Sequence, residues 1–338
     1  MAEKDKILII RFSAMGDVAM TAPVVREFRE NYPGVELVVV SRAFFAPFFK
    51  GIPGLHFCNF NPGEQHKGLG GIFRLYKTLS AMGITCVADL HDNLRSRILC
   101  SLFRFSGIRI ARLDKGRTQK RRLTRKNNKI LVPLKLTVHR YAEVFGKLGY
   151  PFTLKNELSK SKKEQNIPNV QEQKKIGISP FAQHQQKVYP FDKLERVLLE
   201  LAEKGHQLFI FGGSAEEQQQ AEKWEALHPG IRSTVRKMTL DEELKFISDL
   251  DLMLSMDSSG MHLASLQGIP VVSVWGATHP YAGFLGYGQS LSNAVQNTLY
   301  CRPCSVYGNI PCYRGDFACM NNLAPEIVID RVIAQLNG

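Results

Sequence analysis

The chain has 338 residues, 44% of them hydrophobic, and its 44 Lys and Arg against 31 Asp and Glu give a formal net charge of +13. This composition excludes a disordered protein, and the length favours two domains that need neither disulfides nor metals to hold them together. No apolar run approaches the roughly 20 residues of a membrane-spanning helix. Residues 1–10 also lack the apolar core of a secretory signal, which predicts a cytosolic location.

The positive charge is unevenly spread along the chain. Residues 1–170 hold 30 basic and 13 acidic residues, whereas residues 171–338 hold 14 and 18. Ten of the basic residues, with Asp114 as the single acid, fall in the stretch 109–129. A strongly basic half indicates an anionic partner, such as nucleic acid, an anionic lipid surface or a phosphorylated substrate.

The first half shows the pattern of parallel α/β structure. A continuous apolar run at 6–11 predicts a strand buried on both faces, and a helix from about residue 18 to 31 and a second strand at 35–40 complete a βαβ unit. Residues 85–90 and 95–105 predict a further strand and helix.

The second half repeats this alternation. Strands are predicted at 175–179, 206–211, 250–256 and 271–275. Capping boxes at Ser214 with Glu217 and at Thr239 with Glu242 mark two helix starts. We therefore predict an α/β protein with an N-terminal domain at 1–160, a linker at 161–174 and a C-terminal domain at 175–320. A final helix at 321–338 is expected to pack back on the N-terminal domain.

The strongest candidate site for an anion is the segment Asp257-Ser258-Ser259-Gly260, where a buried strand meets a helix N-terminus. Free amides and the helix dipole favour phosphate there, and His262 in the first turns could add a donor. The alternative is an ordinary strand-to-helix turn in which Ser258 or Ser259 caps the helix.

Neighbouring loops offer further candidates on the same rim. Lys187 follows one strand and could reach the anion, or it could be a solvated loop lysine. Gly212 and Gly213 end another strand and would admit a nucleotide. Glu217 would accept a hydrogen bond from a ribose hydroxyl, in addition to or instead of its capping role. Neither GxGxxG nor GxxxxGK[ST] is present, which excludes a dinucleotide fingerprint and a P-loop.

Gly16-Asp17 follows the first strand of the chain. A lone carboxylate at a strand end could act as a general base. Asp is also a preferred N-cap residue, so the alternative role for Asp17 is to cap the helix that follows.

Several segments together resemble the family 9 glycosyltransferases, the ADP-heptose:lipopolysaccharide heptosyltransferases and their relatives. They are ILIIRFSAMGDVAMTAPVVREFRENYPGVELVVVS, VADLHDNLRSRILC, ISPFAQHQQKVYPFDKLERVLLELAEKGHQLFIFGGSAEE and MDSSGMHLASLQGIPVVSVWGATHP. They occur in the family's order and span nearly the whole chain.

The resemblance implies a GT-B fold, with two Rossmann-like domains facing across a cleft. It implies inverting, metal-independent transfer of a heptose from ADP-heptose to the inner core of lipopolysaccharide, at the cytoplasmic face of the inner membrane. Asp17 falls on the family's base and Lys187 on the lysine associated with the donor diphosphate. The donor loop falls on Asp257, Ser258, Ser259, Gly260 and His262.

The donor loop departs from the family pattern at one position. The family has Asp-Ser/Thr-Gly, whereas here the glycine is third after Asp257, at Gly260, and His262 keeps its place. We therefore expect a changed amide geometry at Ser259.

The acceptor side is expected in the N-terminal domain. Arg95 and Arg97 follow a predicted strand end and could bind acceptor phosphates or carboxylates bidentately, together with Gly16. The alternative is a pair of exposed helix arginines. We expect Arg95, Arg97 and the 109–129 stretch to hold an anionic glycolipid.

Four cysteines near the C-terminus, Cys301, Cys304, Cys312 and Cys319, begin with the CxxC spacing of zinc sites. The later spacings are irregular, so a structural zinc ion is one interpretation and free cytosolic thiols are the other. The aromatic stretch 44–49 could contact lipid or form a short packed helix.

Two competing functions remain. The first is a GT-B transferase of the same family that uses another sugar nucleotide or glycan acceptor. The second is a nucleic-acid-binding protein acting through 109–129, against which stands the lack of aromatic residues for base stacking in that stretch. For the enzyme we expect no required cofactor, no nucleic-acid partner and a monomer.

Overall fold

The computed structural model describes residues 5–158 and 173–337, and the chain divides into two compact units. Unit 1 comprises residues 1–115 and 135–155, and unit 2 comprises residues 116–134 and 156–338. The polypeptide therefore leaves unit 1, contributes a short segment to unit 2, returns, and leaves again.

Strands and helices alternate through both units. The strands are β1 (Lys6–Ile10), β2 (Glu36–Ser41), β3 (Leu55–Asn59), β4 (Cys86–Asp89), β5 (Arg109–Arg112), β6 (Lys175–Ser179), β7 (Gln207–Ile210), β8 (Ile231–Ser233), β9 (Leu252–Met256), β10 (Val271–Trp275) and β11 (Ala294–Gln296). The α-helices are α1 (Met15–Asn31), α2 (Gly68–Ser80), α3 (Leu94–Phe105), α4 (Arg117–Thr124), α5 (Thr137–Lys147), α6 (Phe191–Glu203), α7 (Ala215–Glu225), α8 (Leu240–Ser248), α9 (Ser259–Leu266), α10 (Ala318–Asn321) and α11 (Pro325–Asn337).

Each unit is built on one parallel sheet. The strand order is β3-β2-β1-β4-β5 in unit 1 and β11-β10-β9-β6-β7-β8 in unit 2. Central strands such as β1, β9 and β10 are mostly apolar and buried along nearly their whole length because helices cover both faces of the sheet. The predicted α/β class with two Rossmann-like domains is confirmed.

The predicted domain division differs from the structure at two places. Residues 116–134, inside the predicted N-terminal domain, belong to unit 2. Helix α11 packs on α6, β9 and β10 of unit 2, so the expectation that it returns to the N-terminal domain is wrong. The predicted linker at 161–174 lies almost wholly outside the described residues.

This division changes the charge balance of the two regions. Unit 1 holds 20 Lys and Arg against 11 Asp and Glu, and unit 2 holds 24 against 20. The net charges are therefore +9 and +4. The contrast between a basic half and an acidic half disappears because the most basic segment of the chain, 116–134, packs in unit 2.

The apolar segments do not reach membrane-spanning size. Within residues 5–158 and 173–337, no helix combines the length and apolarity needed to cross a bilayer. The aromatic stretch forms a short 3₁₀ helix, Ala43–Phe49, which buries Phe45, Phe48 and Phe49 and exposes Phe44. The interpretation as a packed helix is confirmed.

Candidate active site

Asp17 lies in the first turn of α1, just beyond the carboxyl end of β1. The N-cap residue is Ala14, and its side chain makes no capping bond. The alternative in which Asp17 is the N-cap is therefore wrong. A carboxylate in the first turn is favourable because the helix N-terminus carries partial positive charge.

Arg11 fixes the position of the Asp17 carboxylate. The Arg11 guanidinium pairs with Asp17 Oδ2 and also donates from Nη1 to the carbonyl oxygen of Leu90 at 2.6 Å. Burial opposes the charge of Arg11, but Asp17, Tyr141 and Asp89 together outweigh it, and the pKa of Arg11 is raised. The Arg11 side chain is 7% exposed and that of Asp17 is 30% exposed. Among the described residues Asp17 Oδ1 has no partner, so this pair presents one fixed carboxylate oxygen.

His91 is a buried neutral imidazole beside this pair. Burial lowers the pKa of His91 to about 3, and the charges of Arg11 and Lys115 act in the same direction. The backbone N–H of Phe12 donates to His91 Nδ1 at 3.1 Å, and Asn93 Nδ2 lies 3.1 Å from His91 Nε2. The negative charge of the Asp17 carboxylate acts in the opposite direction and raises the pKa of His91.

Asp89, the last residue of β4, orders the loop that carries His91. This fully buried carboxylate accepts from the backbone N–H of His91 at 3.0 Å and of Asp92 at 2.8 Å, and from Ser96 Oγ at 3.0 Å. Arg11, Asp89 and His91 were absent from the residues predicted to form the site. The polar cluster that follows an apolar strand in VADLHDN was the signal that could have found two of them.

The two predicted acceptor arginines differ in their surroundings. Arg97 Nε donates to Asp92 Oδ1 at 2.7 Å, in an ion pair within unit 1. Arg95 is exposed and makes no hydrogen bond or ion pair with the residues that the structure describes. Gly16 lies in the first turn of α1, next to Asp17.

In unit 2 the predicted donor residues gather at the carboxyl ends of neighbouring strands. Asp257 and Ser258 connect β9 to α9, and Lys187 ends a short 3₁₀ helix after β6. Lys187 Nζ lies 2.9 Å from Asp257 Oδ2, and the two side chains are 16% and 6% exposed. The structure thus brings together a lysine and an aspartate that are 70 residues apart in the sequence.

The lysine is held in place by backbone groups around it. A Cβ atom at Gly308 would lie 2.5 Å from Lys187 Cγ, so only glycine allows the chain to pass this close to the lysine stem. The N–H of Ala277 donates to the carbonyl oxygen of Gln186 at 3.2 Å. These contacts reduce the rotational freedom that a flexible lysine would otherwise lose on binding a ligand.

The glycine that departs from the family pattern has a packing role. A Cβ atom at Gly260 would lie 2.2 Å from Ser179 Oγ, because the first turn of α9 packs directly on the end of β6. Ser258 occupies the N-cap position, but its side chain makes no capping bond, and its Oγ lies 3.5 Å from Ser179 Oγ. The first-turn amides of α9 lack intrahelical partners, and the buried His262 lies in the same turn.

Gly212, Gly213 and Glu217 lie at the end of β7. Glu217 Oε2 accepts from the N–H of Gly213 at 2.6 Å and of Ser214 at 3.0 Å, and Ser214 Oγ accepts from the N–H of Glu217 at 3.1 Å. The capping box is confirmed, and the ribose contact stays a prediction. A Cβ atom at Gly212 would lie 2.9 Å from a ring carbon of Phe181, so packing requires this glycine.

The four C-terminal cysteines line one small cavity of unit 2 as free thiols. Burial raises the pKa of Cys319 to about 11. Across the described part of the chain, no group of three or more His, Cys, Asp or Glu side chains is placed to hold a metal ion. The structural zinc ion stays a prediction that these side-chain positions do not support.

Known proteins share this architecture over their whole length. The chain matches a family 9 glycosyl transferase from Veillonella parvula with a TM-score of 0.73 and 16% identity, covering 100% of this chain and 99% of that one. It matches E. coli heptosyltransferase WaaC, solved with ADP, with a TM-score of 0.67 and 18% identity, covering 98% and 99%. WaaC with ADP-2-deoxy-2-fluoro heptose gives a TM-score of 0.66. The GT-B fold class is confirmed.

Sequence comparison gives the same family. The chain is 26% identical over 285 residues to the lipopolysaccharide core heptosyltransferase OpsX of Haemophilus influenzae, covering 81% of this chain and 80% of the relative. Residues 72–311 match the family model for glycosyltransferase family 9 (heptosyltransferase). The chain therefore belongs to glycosyltransferase family 9, the heptosyltransferase family.

Proposed function

We propose that the protein transfers a heptose from ADP-heptose to an inner-core sugar of lipopolysaccharide, without a required cofactor and with inversion at the anomeric carbon. The observation that carries this proposal is the pair Lys187–Asp257 at the N-terminus of α9. A buried aspartate fixes the lysine, and the helix N-terminus adds further positive potential for a diphosphate.

Asp17 is the group we assign to proton transfer. A sugar hydroxyl is a weak nucleophile, and a carboxylate that takes its proton during attack lowers the barrier. Arg11 fixes Asp17 through Oδ2, which leaves Oδ1 to receive the proton. The hydroxyl oxygen bonds to the anomeric carbon as the bond from that carbon to the diphosphate breaks on the opposite face, which inverts the centre.

The leaving diphosphate gains negative charge as this bond breaks. Lys187, the first-turn amides of α9 and His262 are the groups we assign to stabilise it. Preorganised donors act most strongly where charge develops in the transition state. Lys187 and the amides therefore take the part that a divalent cation plays in other nucleotide-sugar enzymes.

The acceptor that we propose is an anionic lipid A–Kdo glycolipid, reached by a monomeric enzyme bound peripherally at the cytoplasmic face of the inner membrane. Arg95 is the acceptor residue best supported, because it is exposed and Arg97 is already paired with Asp92. A planar guanidinium suits the bidentate recognition of a phosphate or carboxylate.

The test is turnover by the purified protein. We expect acceptor-dependent release of ADP from ADP-heptose and the full rate in excess EDTA. We expect no turnover of UDP- or GDP-sugars, and NMR of the product should show the inverted anomeric configuration. Turnover of another sugar nucleotide in place of ADP-heptose would instead establish the alternative transferase of the same family. Retention of configuration, or loss of activity in EDTA, would overturn the mechanism.

A further inference from the structure

Two segments of unit 2 form one continuous surface, which we call the basic–aromatic surface: residues 116–134 and residues 300–314. Lys129 Nζ donates to the carbonyl oxygen of Pro303 at 2.9 Å. Lys126 Nζ lies 5.1 Å from the centre of the Tyr313 ring. These contacts join the two segments although they are far apart in the sequence.

Helix α4 shows how the surface is oriented. Lys120 and Leu123 are its buried residues, and Lys120 Nζ lies 4.1 Å from the centre of the Phe284 ring. Because these two side chains anchor the helix on unit 2, its remaining face is exposed. That face presents Arg117, Arg121 and Arg122 to solvent.

The surface carries positive charge only. Residues 116–134 contain seven Lys and Arg and no Asp or Glu, and residues 300–314 contain no acidic residue. The acids that flank the two segments in the sequence are Asp114 and Asp316. Asp114 is paired with Arg140 at 3.8 Å, and Asp316 is paired with Arg314 at 2.7 Å. Arg121 and Arg122 of α4 are therefore not neutralised by acids of these two segments.

The same surface exposes apolar and aromatic side chains. Three consecutive aliphatic residues, Ile130, Leu131 and Val132, are 41%, 51% and 49% exposed. A run of this kind is unusual on a protein surface that faces only water. The second segment adds the exposed side chains of Tyr300, Tyr307, Ile310 and Tyr313.

We propose that the basic–aromatic surface binds the headgroup region of an anionic membrane. Arginine and lysine pair with lipid phosphates, while tyrosine and aliphatic side chains enter the boundary between headgroups and acyl chains. Nucleic acid would satisfy the cations and the aromatic rings but would leave the three aliphatic residues in water. The proposal rests on the proposed function only in that a glycolipid acceptor lies in such a membrane.

The test is co-sedimentation of the full chain with vesicles of phosphatidylcholine, alone or mixed with phosphatidylglycerol, at physiological and at high salt. We expect binding to the mixed vesicles only. The double variant Arg121→Gln/Arg122→Gln should bind at least about tenfold more weakly at physiological salt, since each basic residue near an anionic surface contributes roughly fivefold. Leu131→Ser/Val132→Ser should weaken the binding that remains at high salt.

Three comparisons make the result decisive. Lys223→Gln/Lys245→Gln removes two exposed lysines elsewhere in unit 2 and should leave vesicle binding unchanged. Leu69→Ser/Phe73→Ser removes exposed apolar side chains of α2 in unit 1 and should also leave it unchanged. Loss of binding in either control, or normal binding by the arginine variant, would overturn the proposal. So would tight binding of duplex RNA by the wild type together with no binding to vesicles.

Failure of the proposed function would look different. Vesicles that contain no acceptor report on the surface alone, and an acceptor stripped of its acyl chains reports on catalysis alone. Leu131→Ser/Val132→Ser, which lies outside the stretch expected to hold the acceptor, should keep wild-type turnover of ADP-heptose with that soluble acceptor. Absence of turnover by the wild type, together with the expected vesicle binding by the wild type and its variants, would reject the proposed function and leave the proposed surface intact.

Discussion

Each unit has an ion pair just beyond the carboxyl end of a strand, Arg11–Asp17 in unit 1 and Lys187–Asp257 in unit 2, and these two pairs have opposite polarity. In unit 1 the arginine is buried, at 7% exposure, and the carboxylate of Asp17 is the accessible partner at 30%. In unit 2 the carboxylate of Asp257 is buried, at 6%, and Lys187 is the more accessible partner at 16%. One pair therefore presents a fixed anion and the other a fixed cation. That difference suits the first to accept a proton and the second to bind a diphosphate.

The largest effect is expected from the anion of unit 1. Asp17→Asn keeps the size of the side chain but removes its ability to accept a proton, so kcat should fall by roughly 10²–10⁴. The KM values should change little. Glu30→Gln, which removes an exposed carboxylate from the same helix, is the matched control. If Asp17→Asn keeps kcat within a few-fold of the wild type and the fold is intact, the base lies elsewhere.

The cation of unit 2 should affect donor binding instead. Lys187→Gln removes a charged donor from the site and leaves Asp257 unpaired. Hydrogen bonds to charged groups contribute about 1.5–3 kcal/mol, so the Kd for ADP should rise about 10- to 100-fold by calorimetry. Lys204→Gln, at an exposed helix end, should have no effect. An unchanged Kd for ADP would show that Lys187 does not bind the diphosphate.

The third prediction concerns the close packing of Gly260, in the first turn of α9, against the end of β6. Gly260→Ala would place a Cβ atom 2.2 Å from Ser179 Oγ, so α9 must move away from β6. We expect a loss of about 2–3 kcal/mol in the free energy of unfolding in urea. Gly213→Ala, where nothing lies within 4 Å, should change it little, and Ser179→Gly should largely restore Gly260→Ala. Failure of that rescue would mean that Gly260 has a role other than packing.

The smallest effect concerns the neutral His91 in unit 1. Its pKa in the folded protein, about 3, lies below the value of about 6.5 in an unfolded chain. As the pH falls below 6.5 the unfolded state binds a proton that the folded state does not, so stability falls. Between pH 7 and pH 5 this term removes about 2 kcal/mol. Denaturation at the two pH values should show that His91→Gln loses about 2 kcal/mol less stability between pH 7 and pH 5 than the wild type does. Equal losses in both proteins would show that His91 is protonated in the fold.

Much of the fold followed from local patterns in the sequence. Continuous apolar runs predicted β1, β2 and β9, because a parallel strand covered on both faces has no polar side. Edge strands were missed for the same reason. The exposure of β3 and β5 is mixed, which leaves no continuous apolar run to recognise. The high density of Lys and Arg identified the basic stretch 109–129. No pattern within that stretch indicates that Lys120 and Leu123 pack in unit 2.

The site divides in a similar way. Lys187 and Asp257 were predicted together because both follow strand ends of one predicted sheet, and they form an ion pair. Arg11 escaped prediction because a basic residue after a strand is common and its partner is fixed only by the turn into α1. The packing role of Gly260 in α9 depends on Ser179, the last residue of β6, which is far away in the sequence. Contacts between distant segments decide such positions, and a single sequence does not display them.

The interleaved path of the chain limits how the molecule can be divided. A cut near residue 155 would give an N-terminal fragment that carries residues 116–134 without the unit on which they pack. That N-terminal fragment would expose the buried Leu123, and the C-terminal fragment would lack α4, the helix that packs on it. Chimeras that exchange units between family members should therefore transfer residues 116–134 together with unit 2. During synthesis, α4 must wait for the second sheet to be made before it can pack.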